Sequence, residues 1–306
     1  MTDYGSRLEF GLSITPETAE IETITRLSQV ADSSGLDLIA IQDHAYNHTF
    51  LDTWTLITFL GAKTERIHFL PDVADLALRP PTMLAKAVAT LDQLTHGRAE
   101  VGVGAGAFWD AIAGMGGPTR TPPQAVEATE EALSIFRQAF AASAPVVSRG
   151  RHYEVRGYRP GPPPAHPMRI WVGAVKPRML GLVGRIAGGW VSPLNIYMTP
   201  REVPHAHRII DAAAVEAGRE PHDVRRLYNV VGSIGARTGG QGLNGPVSMW
   251  SETLAAWALE LGLDTFVFWP VDASERQVRL FAEDVVPRVR ELVDMARSRT
   301  LHGVIE

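Results

Sequence analysis

The alternation of short apolar runs with longer helical stretches is the feature that most constrains how this chain can fold. Eight runs have the composition of buried strands, and a stretch with helical periodicity follows each of them. The predicted strands cover residues 8–14, 36–44, 67–73, a run within 96–108, 169–173, 189–192, 226–234 and 265–269. Strands joined by helices run parallel, and eight such units close into a (β/α)8 barrel. An open doubly wound sheet gives the same count, but no polar linker divides the chain near its middle, so we predict an α/β fold of the barrel type.

Two segments interrupt this alternation. Residues 145–168 contain six prolines, which exclude a helix or a central strand, so we predict an insertion after the fourth helix with a short hairpin arm at HYEV, residues 152–155. Residues 235–246 are rich in glycine and are expected to form a mobile loop, either a lid over a ligand or a disordered connection. We expect one barrel domain over residues 1–306 that includes both segments.

Composition narrows the classes of function. The formal net charge is −5 and no Lys/Arg run is present, so the electrostatic signature of a nucleic-acid binder is missing. The absence of cysteine excludes disulfides, thiolate catalysis and thiolate metal sites. No stretch of about 18 apolar residues and no secretory leader are visible, so we expect a cytoplasmic protein that acts on a small molecule.

Polar residues at the carboxyl ends of barrel strands are the candidates for chemistry, because active sites of this architecture form there. Asp43 and His44 end the second predicted strand, where one can bind a polar ligand and the other can carry a proton. Their alternative role is to cap the following loop. His48 lies four residues after His44, but the segment between them is typical of a loop and no HExxH motif is present, so we predict no metal site.

Two further strand ends have the composition of a cofactor site. The stretch VGVGAGAF resembles a dinucleotide fingerprint, but it follows the fourth strand, so Ala105 and Gly106 are better explained as small residues that let a flat ring approach the backbone, or as a tight turn without a ligand. After the fifth strand, Gly173 and Ala174 precede a helix that begins at Pro177 and carries Arg178, with Lys176 beside it. Free amides, a helix N-terminus and two cations predict a phosphate site, although both cations can also simply be solvated.

The remaining candidates line the mouth of the predicted barrel. Ser13 ends the first strand, and Trp109 and Trp269 follow the fourth and eighth strands. Aromatic side chains at such positions often form the walls of a pocket, although most tryptophans in a chain of this kind pack in the core. We expect Ser13, Trp109 and Trp269 to contact the substrate.

Taken together, these residues resemble the bacterial-luciferase-like superfamily of flavin and deazaflavin oxidoreductases. The strongest similarity is in RPPTMLAKAVATLDQLTHGRAEVGVGAG, residues 79–106, which is similar to a family segment that ends in Leu-Asp-x-Leu-Ser-x-Gly-Arg and a glycine-rich strand. A second family signature resembles RIWVGAVKPRMLGLVGRIAGGWV, residues 169–191. The resemblance covers most of the chain and implies a (β/α)8 barrel with a cofactor at its C-terminal face.

The resemblance also implies which residues hold that cofactor. Family members that use the deazaflavin coenzyme F420 typically have Asp-His at the end of the second strand, as Asp43-His44 here, whereas FMN members more often have Glu-His-His. It places Asp72 and Val73 at a bulge in the third strand, often with a cis peptide bond. The implied cofactor-binding residues are Asp43, His44, Asp72, Val73, Ala105, Gly106, Gly173, Ala174 and Arg178.

Two positions depart from the sugar-phosphate dehydrogenases of this family, which have Glu where this chain has Ala107 and Trp where it has His48. The resemblance therefore points away from that reaction and makes His48, with His44, the candidate for proton transfer. It implies hydride transfer between F420 and a small organic substrate. The alternatives are an FMN-dependent monooxygenase that uses reduced flavin and O2, and a flavin-binding protein without turnover. A homodimer and a separate flavin or F420 reductase are the implied partners.

Overall fold

The structure is a computed structural model that describes residues 3–302, with side chains described for residues 3–299. Residues 1–2 and 303–306, the two ends of the expected domain, lie outside this range. The described strands are β1 (Glu9–Ile14), β2 (Leu38–Ile41), β3 (His68–Pro71), β4 (Ala74–Asp75), β5 (Val101–Gly104), β6 (Val146–Arg149), β7 (Glu154–Tyr158), β8 (Ile170–Gly173), β9 (Gly189–Leu194), β10 (Arg225–Ile234), β11 (Leu243–Gly245) and β12 (Thr265–Pro270).

The α-helices cover the outside of these strands. They are α1 (Ile21–Ser33), α2 (Thr53–Gly61), α3 (Pro81–Leu94), α4 (Trp109–Gly114), α5 (Pro122–Ala141), α6 (Pro177–Ile186), α7 (Val203–Glu216), α8 (Val247–Ala256), α9 (Glu275–Arg279) and α10 (Val286–His302). Two π-helical segments, Trp257–Leu261 and Leu280–Val285, extend α8 and join α9 to α10. A 3-10 turn at Thr18–Glu20 precedes α1.

The parallel strands form a closed barrel. They are hydrogen-bonded in the order β3-β2-β1-β12-β10-β9-β8-β5-β4. Since β3 and β4 are consecutive pieces of one strand, this order returns to its starting point, and a parallel bridge between Phe69 and Ala99 joins β3 to the residues before β5. Counting β3 and β4 together gives eight barrel strands, which confirms the (β/α)8 prediction.

The sheet separates two apolar cores, because successive side chains of a strand point to opposite faces. In β1, Phe10, Leu12 and Ile14 belong to the large core between the sheet and the helices. The smaller core fills the barrel and contains Leu38, Ala40, Leu70, Trp171, Val191, Leu227 and Val267, with Val73 and Trp269 packed on it. The inner core therefore supports the polar groups at the carboxyl ends of the strands.

The third barrel strand is divided at its carboxyl end. The peptide bond between Asp72 and Val73 is cis, as the family resemblance implies, and β4 then pairs with β5. Glycine is required opposite this bulge. A Cβ on Gly102 would lie 2.3 Å from the Pro71 carbonyl oxygen, and one on Gly104 would lie 2.6 Å from Val73 Cγ2. The glycines of the fourth barrel strand thus make room for the bulge.

The two irregular segments are partly ordered. Within residues 145–168, β6 and β7 pair as an antiparallel hairpin, which confirms the predicted arm. The insertion is fastened to α3, where Gln93 donates to the Pro163 carbonyl. Within residues 235–246, β11 pairs with β10.

Candidate functional site

A cavity of about 1110 Å³ opens at the carboxyl ends of the barrel strands. Its wall includes eleven of the thirteen residues that the sequence nominated for a site. They are Asp43, His44, Asp72, Val73, Ala105, Gly106, Trp109, Gly173, Ala174, Arg178 and Trp269. The barrel thus brings together residues from five strand ends that are up to 226 positions apart in the chain, counted as 269 − 43.

The structure places the other two nominated residues elsewhere. His48 is exposed and is not among the residues that line the cavity. Its loop turns at residues 44–47, where the Asn47 amide donates to the His44 carbonyl at 2.8 Å. Ser13 lines a second cavity of about 350 Å³, and Trp269 forms a wall shared by both cavities.

His44 is held in an aromatic setting. Its Nδ1 is hydrogen-bonded to the Tyr46 hydroxyl at 2.6 Å, and its ring packs against the rings of Tyr46, Phe50 and Phe108. Burial lowers the pKa of His44, and the nearby Asp43 carboxylate only partly opposes this effect. The imidazole is therefore neutral at pH 7 and can accept a proton. Burial also raises the pKa of Tyr46 to about 12, so its hydroxyl stays protonated.

Asp43 is engaged in an ion pair that the sequence analysis missed. Arg79 donates from Nε to Asp43 Oδ2 at 2.7 Å and from Nη2 to Oδ1 at 2.8 Å. Nη2 also donates to Asp52 at 2.6 Å, and the Asp75 amide donates to Asp43 Oδ2 at 3.1 Å. Burial opposes the charge of Arg79, but the two carboxylates outweigh it and raise its pKa. Both oxygens of Asp43 are thus occupied by protein donors, and the pair fixes the end of β2.

Asp72 is the opposite case on the same cavity wall. Its Oδ2 is buried and forms no hydrogen bond with any described residue. Burial raises the pKa of the Asp72 carboxyl to about 7. A buried carboxyl without a cation is disfavoured in its charged form, so a substantial fraction of this group carries a proton at neutral pH.

The glycine-rich turn gives the cavity a smooth wall. A Cβ added to Gly104 would lie 2.6 Å from Val73 Cγ2, and a Cβ added to Gly173 would lie 3.1 Å from the same atom. Gly106 has φ +93, a conformation that favours glycine, and a Cβ there would approach the Trp109 ring to 3.0 Å. A flat ligand can therefore lie directly against this backbone.

The N-terminus of α6 lines another part of the cavity wall. The Leu180 amide makes a helical bond to the Lys176 carbonyl at 3.0 Å, so the amides of Arg178 and Met179 precede the hydrogen-bonded turn. Lys176 and Arg178 are exposed there and form no ion pair with any residue between 3 and 299. The Ala174 amide is already used, because it donates to the Val191 carbonyl at 3.3 Å. Two amides and two cations remain to hold an anion.

Asn229 joins the polar groups on the barrel axis, and the sequence analysis missed it because it lies inside an apolar strand. Its Nδ2 donates to the Ser192 carbonyl at 2.8 Å, and its Oδ1 accepts from Trp269 Nε1 at 2.7 Å. These bonds hold the Trp269 ring between the two cavities. The only signal in the sequence is that Asn229 lies two residues after Leu227 and therefore points to the same inner face of the barrel.

Between residues 3 and 302, no group of three or more His, Asp or Glu side chains is placed to hold a metal ion. None of the helices within that range is long and apolar enough to cross a membrane.

The chain matches a known protein family. The family model for luciferase-like monooxygenases matches residues 4–237. A Mycobacterium tuberculosis protein named as a coenzyme F420-dependent oxidoreductase is 32% identical over 196 residues, which cover 59% of this chain and 55% of the relative. A 5,10-methylenetetrahydromethanopterin reductase of Archaeoglobus fulgidus is 29% identical over 216 residues, which cover 69% of this chain and 60% of the relative. The chain thus matches somewhat more than half the length of these relatives.

A solved structure confirms the architecture. An F420-dependent secondary alcohol dehydrogenase, in complex with an F420–acetone adduct, superposes with a TM-score of 0.83 over 93% of this chain and 99% of that one. The two sequences are 16% identical, so this likeness establishes the fold. Since the family model covers most of the chain, and the fold agrees with it, the chain belongs to the luciferase-like monooxygenase family.

Proposed function

We propose that this protein transfers a hydride between the deazaflavin coenzyme F420 and a small organic substrate. One observation carries the proposal: a single cavity is lined by a helix N-terminus with two cations unpaired among the described residues, a glycine-rich wall and a neutral imidazole. This arrangement suits a planar ring that bears a phosphate.

The residues at the α6 end fit the phosphate of such a cofactor. Lys176 and Arg178 have no anionic partner among the described side chains, and a phosphate supplies the charge that they lack. The amides of Arg178 and Met179 add the favourable field of a helix N-terminus. We therefore assign phosphate binding to Lys176 and Arg178 with the amides of Arg178 and Met179, while Gly173 and Ala174 stay predictions as phosphate ligands.

The glycine-rich wall of the cavity fits the planar ring of the cofactor. Val73, Ala105 and Gly106 present an apolar wall with no bulky side chain, and Trp109 and Trp269 form parts of the remaining wall. Binding cavities for drug-sized ligands span about 300–1,000 Å³. At about 1110 Å³, this cavity has room for a substrate beside the cofactor. A substrate that extends past Trp269 reaches Ser13 in the second cavity.

F420 supplies or accepts the hydride when it is bound, and the protein supplies position and proton transfer. With Nδ1 bonded to Tyr46, His44 Nε2 is the atom left to exchange a proton with the substrate. The ion pair of Asp43 with Arg79 fixes the strand end that carries His44. His48 stays a prediction as a proton carrier, and its exposed position makes His44 the residue that we propose.

Binding and turnover with each cofactor test the proposal. We expect the purified protein to bind F420 and to change its absorption when a substrate from an alcohol or enone library is added. Binding of FMN with O2 uptake would instead support the monooxygenase, and binding without turnover would support a sequestering protein. Failure to bind either cofactor would overturn the proposal.

Two variants locate the cofactor and the proton carrier. Arg178→Ala should weaken binding about tenfold by removing one charge from the phosphate. The matched control is Arg208→Ala, which removes an exposed arginine of α7 and should leave affinity unchanged. His44→Gln should slow hydride transfer at least about a hundredfold and change affinity much less. A homodimer, a separate reductase and a cytoplasmic location stay predictions.

A further inference from the structure

Asp72 differs from the other carboxyl groups of the cavity in having a buried oxygen with no protein donor among the described residues. Asp43 is paired with Arg79, and Asp75 Oδ1 accepts from the Ala77 amide at 2.8 Å. Asp72 Oδ2 is fully enclosed and has no hydrogen-bond partner within the described residues. A site built only for stability would pair this oxygen, since an unmade hydrogen bond of a buried polar group costs free energy.

The neighbours of Asp72 do not supply a charge to balance it. Asn229 faces it from β10 and partly opposes the rise in its pKa, but this amide carries no charge and is also bonded to Ser192 and Trp269. The other titratable or charged groups on the cavity wall are Asp43, His44, Tyr46, Asp75, Lys176, Arg178 and Tyr197. In the described structure, none of them forms an ion pair or a hydrogen bond with Asp72.

Filling the cavity changes the balance between the two forms of this carboxyl. In the free protein, water in the cavity can solvate the carboxylate from the one side of Asp72 that is not enclosed. An apolar ring laid against the wall displaces that water, and desolvation favours the uncharged form. The acid form then also has a proton on Oδ that it can donate to a carbonyl oxygen or ring nitrogen of the ligand.

We propose that Asp72 is locked in its acid form when a planar cofactor fills the cavity, so that cofactor binding takes up one proton wherever the carboxyl of the free protein is ionised. No bond other than the O–H of the carboxyl forms, and the proton comes from the solvent. The proposal rests on the proposed function only for the identity of the ligand. It adds a pH dependence to cofactor binding that is separate from any titration of the phosphate.

Proton uptake on binding provides the test. Titration calorimetry with F420 and with FMN, repeated in two buffers of different ionisation enthalpy, measures the protons taken up for each ligand bound. At pH 8 we expect about one proton for each cofactor bound, and at pH 5 almost none, with the affinity falling about tenfold for each pH unit above 7. Asp72→Asn should abolish the uptake at pH 8 and flatten the pH dependence.

Three comparisons separate Asp72 from other groups. Asp110→Asn makes the same chemical change at an exposed carboxylate and should leave the uptake at about one proton. The uptake should also persist in His44→Gln and Asp75→Asn. Uptake that persists in Asp72→Asn, or that disappears in either of these two variants instead, would overturn the proposal.

A second measurement keeps this proposal separate from the proposed function. Infrared difference titration of the free protein follows the carbonyl stretch of protonated carboxyls, and we expect a band that titrates near pH 7 and is missing in Asp72→Asn. If neither cofactor binds, the proposed function fails, and the infrared result alone decides whether Asp72 holds an exchangeable proton. If a cofactor binds and turns over without this band and without proton uptake, the proposed function stands and the proposal for Asp72 is wrong.

Discussion

Two buried carboxyl groups at opposite ends of the barrel have opposite pKa shifts. Burial raises the pKa of Asp72, at the carboxyl ends of the strands, to about 7. Burial also acts on Glu100, just before β5 at the amino ends, but hydrogen bonds from His166 and His68 outweigh it and lower the pKa to about 2. The difference comes from the partners rather than from the depth of burial.

Glu100 belongs to a cluster in which each carboxylate has several donors. Its Oε1 lies 3.4 Å from His68 Nδ1 and 3.6 Å from His166 Nε2, and Trp171 Nε1 donates to Oε2 at 3.3 Å. His166 also bonds Asp92 through Nδ1 at 2.9 Å, which ties the proline-rich insertion to α3. The amino ends of the strands thus use charge for stability, whereas the carboxyl ends leave Asp72 unpaired where a ligand can reach the cavity.

The largest expected effect comes from removing the cation that is paired with Asp43, which would leave this carboxyl group unpaired like that of Asp72. Arg79→Met removes the cation from a carboxylate whose side chain is 1% exposed, and we expect a loss of about 4 kcal/mol in the free energy of unfolding at pH 7. Chemical denaturation followed by circular dichroism measures this loss. The double variant Asp43→Asn/Arg79→Met should recover more than half of it. A loss below about 1 kcal/mol in the single variant would show that the pair is not the main stabilising contact of β2.

Glu100→Gln should give the next largest effect. Removing this charge leaves His166 and His68 without their shared carboxylate, and we expect a loss of about 3 kcal/mol at pH 6. Because the pKa of Glu100 is lowered, its stabilisation is complete above the ordinary value of 4.5 and disappears as the pH falls towards about 2. The difference in the free energy of unfolding between the two proteins should therefore become smaller as the pH is lowered from 6 to 3. Parallel curves over this range would contradict the role given to Glu100.

The sequence alone predicted the barrel and the wall of the cavity better than it predicted the groups that pair with the buried carboxylates Asp43 and Glu100. Strand–helix alternation is a local pattern, so it identified the strand ends at Asp43, Asp72 and Gly173. The partner of Asp43 is Arg79, 36 residues away, and nothing local to either residue indicates that they meet. His166 and Glu100 are separated by 66 positions, counted as 166 − 100, and meet only because the insertion folds back under the barrel.

His48 and Ser13 illustrate the second limit of the sequence. The position of His48 depends on the turn at residues 44–47, in which the Asn47 amide donates to the His44 carbonyl. After this turn the chain runs away from the cavity, so His48 lies on the outside. Ser13 does lie at a strand end, but Trp269 stands between it and the larger cavity. Loop path and the orientation of one large ring decide both cases, and neither follows from residue type or periodicity.

Asp72→Asn should produce a smaller effect of opposite sign. The pKa of Asp72 is raised above its ordinary value of 3.8, so the folded state is penalised increasingly as the pH rises from about 4 to about 7. The amide carries no charge, and we expect the variant to be more stable than the unaltered protein by about 2 kcal/mol at pH 8 and equal to it at pH 4. Thermal or chemical denaturation at the two pH values checks this. A variant that is less stable at pH 8 would mean that the carboxylate has a partner and that the contrast with Glu100 does not hold.

The smallest effect is expected at His166, because its partners keep other donors when it is removed. Hydrogen bonding to Glu100 raises the pKa of His166, so its stabilisation is complete below the ordinary value of 6.5 and is lost as the pH rises through the raised value. In His166→Gln, Glu100 retains His68 and Trp171, and Asp92 retains the amides of Ala99 and Ala165. We therefore expect a loss of only about 1 kcal/mol at pH 6 and almost none at pH 9, with no change in the exposed control His205→Gln. A loss at pH 9 as large as at pH 6 would assign the contribution of His166 to packing of the insertion rather than to its charge.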